Sequence, residues 1–253
     1  MAYTEQKITV ASSEYVAFIQ AINNVYRGGV TLVIHKDYID SLVLSEDNAS
    51  IILYAKIMLL SNSLSDEVIT IHVRDLTKFI RLIEYAKEET FTFTIRNNYV
   101  YFENSKVGGA KFILDENPVR KINNRISVEW FNQFQPYFKA DIKRSNLKEI
   151  SQLASFANNS DKVYLYEENG VIIAELNDKE KVNIDTIKLN LTSEYEGHIL
   201  GNIILGLDSL SALSSMMNDM VMEVAKIQNY EALFFTFNSN NVLLKYLFAS
   251  KVR

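Results

Sequence analysis

The sequence predicts an α+β protein of two similar domains, each made of antiparallel sheets with two helices. An amphipathic segment opening on Ser and closing on Asn-Asn occurs near the start of each half, Ser12 to Asn23-Asn24 and Ser145 to Asn158-Asn159. A strand, an Asn-rich turn and another strand recur later in each half, at residues 93–101 and 235–243. The matching pieces lie roughly 130–140 residues apart, too far for a solenoid period and fitting for two domains of like fold. Strands and helices do not alternate regularly, which disfavours a Rossmann sheet or a TIM barrel.

The elements follow in order. A strand near residues 7–10 leads to a helix over 12–26, with Phe18, Ile19 and Ile22 inward. Strands follow at 30–35, 41–44, 51–58 and 68–73. Leu76, Phe79, Ile80 and Ile83 repeat at helical spacing and predict a second helix over 75–86. Strands at 91–96, 99–103 and 110–115 close the half. The second half repeats the order: a strand at 140–143, then a helix over 146–157 with Leu147, Ile150, Leu153, Ala154 and Ala157 inward. Asn169-Gly170 is a strong two-residue hairpin signal between strands at 162–167 and 171–176. Strands at 184–191 and 203–207, a short helix near 208–217, and strands at 220–227, 233–238 and 242–249 complete the chain.

Only two prolines occur, Pro118 and Pro136, and they bracket the middle of the chain. Proline is excluded from helix interiors and central strands, so the pair marks a connection. The expected division is a first domain over 1–117, a connector over 118–136 and a second domain over 137–253. Trp130, Phe131 and Phe134 imply that part of the connector packs down rather than swinging free.

Composition narrows the function classes. Fourteen Tyr and fourteen Phe suit strand-rich structure. The absence of cysteine excludes disulfides and thiolate metal sites and fits a reducing compartment. No N-terminal apolar run resembles a signal peptide, and no apolar stretch is long enough for a bilayer. The expectation is therefore an intracellular protein. A net charge of −5 argues against a uniformly basic protein but leaves room for a local basic surface.

Enzyme signatures are weak. His35, His72 and His198 are widely separated, with no metal-pair spacing, and neither Gly28-Gly29 nor Gly108-Gly109 opens a phosphate loop. Acids such as Glu46-Asp47 and Glu88-Glu89 fall in turns, where solvated charge is the default. Met216, Met217, Met220 and Met222 read as gap-filling core. No catalytic residue, metal or cofactor is expected. The helices are more informative. Arg74, Lys78 and Arg81 form one outward stripe that continues to Tyr85, and Lys143, Arg144 and Lys148 open the third helix. A solvated face is the plain reading of either stripe. In a chain with 31 acids, however, no helix shows an acidic stripe, which suggests that the helices face something negative.

The element order, together with the terminal run Leu244-Lys245-Tyr246-Leu247-Phe248-Ala249-Ser250-Lys251, resembles the DNA sliding clamps of the proliferating-cell-nuclear-antigen type, including viral and phage relatives. The family closes on Leu-Lys-Tyr-Tyr-Leu-Ala-Pro-Lys, and Ser250 stands where it often has proline. The resemblance implies the DNA clamp fold: a closed homotrimeric ring whose helices surround duplex DNA, a processivity factor tethering a DNA polymerase and served by a clamp loader. It places Arg74, Lys78, Arg81, Lys143, Arg144 and Lys148 against phosphates, contacts that carry no sequence information. It places hydrophobic partner peptides against Leu44, Ser45, Ala49, Val119, Ile122, Leu247, Phe248 and Ala249. It places the subunit interface at Ala110, Phe112, Ile113 and Leu114 against Ile184, Ile187 and Leu189. Richness in Asn, Ile and Lys points to a virus, and then to the host cytoplasm. The alternative is a ring-forming virion-type protein without DNA-tethering activity; a monomeric processivity factor and a hydrolase are the remaining readings.

Overall fold

The computed structural model describes residues 5–46, 50–63, 68–96, 98–117, 128–156, 161–177, 185–214, 218–227, 230–249 and 251–252. The first half runs β1 (Gln6–Ala11), α1 (Ser12–Val25), β2 (Val30–Ile34), β3 (Tyr38–Leu44), β4 (Ile51–Met58), β5 (Ser61–Asn62), β6 (Ile69–Val73), α2 (Leu76–Ala86), β7 (Thr90–Arg96), β8 (Tyr99–Phe102) and β9 (Ala110–Ile113). The second runs α3 (Val128–Asn132), β10 (Pro136–Ile142), α4 (Arg144–Leu153), β11 (Lys162–Glu168), β12 (Val171–Leu176), β13 (Ile187–Thr192), β14 (Tyr195–Glu196), β15 (Ile203–Gly206), α5 (Leu207–Ser214), β16 (Met220–Ile227), β17 (Tyr230–Asn238), β18 (Val242–Ala249) and β19 (Lys251–Val252).

The two halves share one topology. The order β5-β1-β7-β8-β9 reappears as β14-β10-β16-β17-β18, and β4-β3-β2-β6 reappears as β13-β12-β11-β15, with β19 added beyond β15. Thus α1 corresponds to α4 and α2 to α5. The hairpins at residues 93–101 and 235–243 do not correspond, however. The first is β7–β8, whose counterpart is β16–β17, whereas the second is β17–β18. The chain forms two compact units. The first is Met1–Glu46, Leu53–Ile126 and Asn238–Leu244; the second is Asp47–Ile52, Ser127–Phe237 and Lys245–Arg253.

In the first unit, α1 buries Tyr15, Phe18, Ile19 and Ile22 at helical spacing, and α2 buries Leu76, Phe79, Ile80 and Ile83. The two helices pack side by side. Tyr15 stacks on Phe91 and Phe93 of β7 at 5.9 and 5.8 Å. Each such ring contributes about 1.5–3 kcal/mol relative to leaving it exposed. α2 has both ends closed: Asp75 accepts from the Lys78 amide at 3.2 Å, and Lys106 Nζ donates to the Ala86 carbonyl at 3.0 Å. An acid at the start and a cation at the end both suit the helix dipole. Residues 242–244 of β18 belong to this unit and lie beside β4. The Met58 amide donates to the Asn241 carbonyl at 2.8 Å, and Asn241 Nδ2 donates to both oxygens of Glu14 on α1 at 2.9 and 3.1 Å.

The second unit has its own core, including Phe138, Phe235, Tyr246 and Phe248. Pro136 opens β10, and the register shifts between it and Phe138, as expected where proline cannot donate to the ladder. Asn169 and Gly170 both have positive φ, 53° and 74°, the geometry of a tight hairpin turn. The aromatic end of the connector is helix α3, with Phe131 fully buried. Neither Ser12 nor Ser145 caps a helix: α1 follows Ala11 and α4 follows Lys143, both without a side-chain cap. The cap of α4 comes from far along the chain, Asp219 Oδ1 accepting from the Arg144 amide at 2.8 Å. Asp219→Ala should therefore cost about 0.5–2 kcal/mol, read as a lower urea midpoint at unchanged slope.

Candidate nucleic-acid, partner and subunit surfaces

The six cations expected on the helices are not equivalent. Lys78 and Arg81 stand on the exposed arc of α2, opposite its buried Phe79, Ile80 and Ile83. Lys78 Nζ also meets Asp75 at 3.2 Å, a solvent-exposed pair of small energetic weight. Arg74 precedes the helix and is committed elsewhere. Its Nη2 and Nε donate to the two oxygens of Asp115 at 2.8 and 3.2 Å. The Asp115 amide in turn donates to the His72 carbonyl at 3.0 Å, so Arg74 fastens the chain after β9 to the end of β6. In α4, Lys143 and Lys148 are exposed, whereas Arg144 is half-buried and its buried Nε has no hydrogen-bond partner. The exposed cations among the six are thus Lys78, Arg81, Lys143 and Lys148, together with Arg74, which is exposed but paired with Asp115, and each helix carries one exposed carboxylate, Glu84 and Glu149.

The expected peptide contacts are largely enclosed. Leu44 and Ser45 are buried at 9% and 8% exposure, Leu247 at 7% and Phe248 at 1%. Phe248 meets Phe235 edge-on at 5.6 Å and stacks with Tyr246 at 6.4 Å. It is a core residue of the second unit, which corrects its placement against partner peptides. Leu247 projects to the opposite side of β18, the side of Lys245. There Lys245 Nζ donates to the Phe131 carbonyl of α3 at 3.2 Å and lies 4.9 Å from the centre of the Phe234 ring. Burial pushes its ammonium below the ordinary lysine range, against the pull of Glu223. This contact holds the end of the connector to the sheet. The cluster of connector aromatics was its only sequence signal; Lys245 itself gave none. Ala49, Val119 and Ile122 lie outside the described residues, as does the side chain of Ala249.

The expected subunit contacts fall on sheet edges. β9 pairs with β8 and ends its sheet, and β13 pairs with β12 and ends its own. On β9, Ala110 and Phe112 are half-buried on the side of Phe79 of α2, whose ring lies 4.5 Å from that of Phe112, while Ile113 is 62% exposed. Leu114 differs from its neighbours: it is buried, and its amide donates to the Asn98 carbonyl at 2.8 Å. Ile187 and Leu189 of β13 are half-buried on one side, with Lys188 exposed on the other. Ile184 lies outside the described residues.

The histidines are dispersed. His35 contacts Asp40 at 3.4 Å, His72 contacts Thr31 at 2.8 Å, and His198 contacts Glu167 at 3.0 Å. Among the described residues, no group of three His, Cys, Asp or Glu could hold a metal ion, and no helix is long and apolar enough to cross a membrane.

No family profile matches the chain, and no curated protein matches it. Solved structures match over nearly the full length. PCNA from A. fulgidus, bound to the C-terminal region of FEN-1, superimposes with a TM-score of 0.76 at 14% identity, covering 98% of this chain and 99% of that one. PCNA from Entamoeba histolytica gives 0.76 at 11% identity, covering 99% and 100%. The PCNA2–PCNA3 complex from Sulfolobus tokodaii gives 0.69 at 13% identity, covering 98% and 100%. The fold is that of the PCNA sliding clamps.

Proposed function

We propose that the chain is a DNA sliding clamp, a non-enzymatic processivity factor that encircles duplex DNA and tethers replication proteins. The clamp topology, written twice, with β9 and β13 among the strand edges left open in the described residues, carries this reading. Within the first unit β18 lies beside β4, and these strands are the counterparts of β9 and β13. A second copy can repeat that pairing by adding its β13 to the open edge of β9. Such a head-to-tail contact closes into a ring when the rotation allows, and three copies supply six repeats.

Duplex DNA is the proposed occupant of the ring, held through phosphates by Lys78, Arg81, Lys143 and Lys148. Hydrophobic peptides of a DNA polymerase and of a clamp loader are the proposed partners. The site of action is intracellular. Richness in Asn, Ile and Lys, with identities of only 11–14% to the PCNA structures, supports a viral chain acting in the host cytoplasm.

Lys78→Ala with Arg81→Ala tests the DNA reading. Binding or loading should weaken alike on unrelated duplex sequences, and the logarithmic salt slope should fall by about 0.9 for each lost contact. A sequence-selective loss, or an unchanged loading assay, overturns the assignment of this face to DNA.

A further inference from the structure

We propose that the cleft at the start of α4 is a socket for the β8–β9 loop of the next copy, entered by Lys106. The inference rests on the head-to-tail reading of β9 against β13. The cleft has a volume of about 550 Å³, and its lining falls within the second unit, from the end of β13 to the first turn of α4. Asp141, Glu194 and Asp219 outnumber Lys143 along it, with Leu191 among its apolar residues. Such a lining concentrates cations. Asn146, the third residue of α4, belongs to it as well.

The first unit shows how the equivalent place is filled. The Met58 amide donates to the Asn241 carbonyl at 2.8 Å, so β18 starts where β4 ends and the two run antiparallel. Asn241 also donates from Nδ2 to both oxygens of Glu14, the third residue of α1. The groove left beside that turn measures about 150 Å³. The two helix starts correspond. The Ser12 amide donates to the Glu89 carbonyl just before β7, and the Arg144 amide donates to Asp219 just before β16. Asn146 is thus the counterpart of Glu14. The two loops correspond too. The Ser239 amide donates to the Val242 carbonyl at 2.9 Å, and Ser239 Oγ accepts from the Val242 amide at 3.0 Å. Asn104 repeats both bonds with Val107, at 2.9 and 2.6 Å. The third residue of the first turn is Asn241 and that of the second is Lys106. Gly108 and Gly109 separate the Asn104 turn from β9, so this turn stands farther out from its strand. When β13 of one copy joins β9 of another in the same antiparallel sense, the turn meets the cleft. Lys106 Nζ gives one donor to the Ala86 carbonyl, and an ammonium has two more for the carboxylates.

The test is the concentration at which the ring of full chains dissociates, read by native mass on serial dilution at low salt. Lys106→Glu, and separately Asp141→Lys with Glu194→Lys, should each raise that concentration by about tenfold or more, because like charges then face each other. All three changes in one chain should restore most of the loss, since a head-to-tail contact joins two different surfaces of the same chain. Added salt should shrink each difference. Lys106 also closes α2, so melting is followed for every variant; the exposed Asp141 and Glu194 cap no helix and keep the test independent of that role. An unchanged ring in both charge variants, or no restoration in the combined one, overturns the socket. The wild-type protein separates this from the reading beneath it. A ring that Ile113→Pro dissociates and the charge variants do not alter keeps the seam and leaves the cleft to a different ligand. A wild-type protein of single chains removes the seam, and the socket with it.

Discussion

Phe248→Ala lowers stability by about 3–5 kcal/mol and leaves the affinity for a polymerase-tail peptide unchanged. The ring is 1% exposed and lies between Phe235 and Tyr246. Truncation therefore opens a cavity that its neighbours fill only in part. Much of a small domain's net stability would vanish with one side chain. Thermal melting and peptide titration on the same protein check both statements. A tenfold loss of peptide affinity at unchanged melting temperature would return Phe248 to the binding surface. Leu247, one position earlier, faces the other side of the strand. Leu247 is itself only 7% exposed, so Leu247→Ala should also lower stability, by about 2–5 kcal/mol.

Ile113→Pro should convert the proposed ring into single chains. Proline removes a ladder donor and is not accommodated within a paired strand. Ile113 is exposed at the edge of β9, so the chain itself should still fold, which circular dichroism would verify. Ile187→Asp on β13 should dissociate the ring from the other side by placing a carboxylate in an apolar seam. Mixing the two variants gives the sharper result. A head-to-tail contact leaves β13 intact in the first and β9 intact in the second, so the mixture should form a one-to-one dimer. Native mass measurement reads all three states. A trimer in the Ile113→Pro sample, or no dimer in the mixture, rejects β9 against β13 as the contact.

Much of the fold was legible because local patterns coincide with the final packing. β4 was expected over the same residues it occupies, and α2 was legible from its apolar spacing. The Asn169-Gly170 turn forms as its chemistry demands. The two-residue strands β5 and β14 were not legible, since alternation needs more than two residues to show. The Asn-rich hairpins misled for a related reason. Antiparallel hairpins share one local grammar of strand, polar turn and strand, so β7–β8 and β17–β18 look alike without being counterparts. Duplication was the correct conclusion, drawn in part from a mismatched pair.

The candidate surfaces were less legible. Leu247 and Phe248 were grouped as one patch, yet neighbouring residues in a strand point to opposite faces. Arg74 looked equivalent to Lys78 and Arg81 because helical spacing says nothing of Asp115, which arrives from beyond β9 to claim it. Charge and period place a side chain on an element; only the tertiary fold reveals which charges have already found partners.

The presence of residues 238–244 in the first unit has a consequence for synthesis. On a translating ribosome the N-terminal half emerges long before the segment that completes it. Roughly 120 further residues, at about 5–20 per second, leave the β4 edge without β18 for on the order of 6–25 seconds. During that interval the nascent chain carries an open strand edge, a template for pairing with any neighbour. Co-translational folding of this half therefore cannot finish before residues 238–244 have left the ribosome, and crowded polysomes are where misassembly would begin.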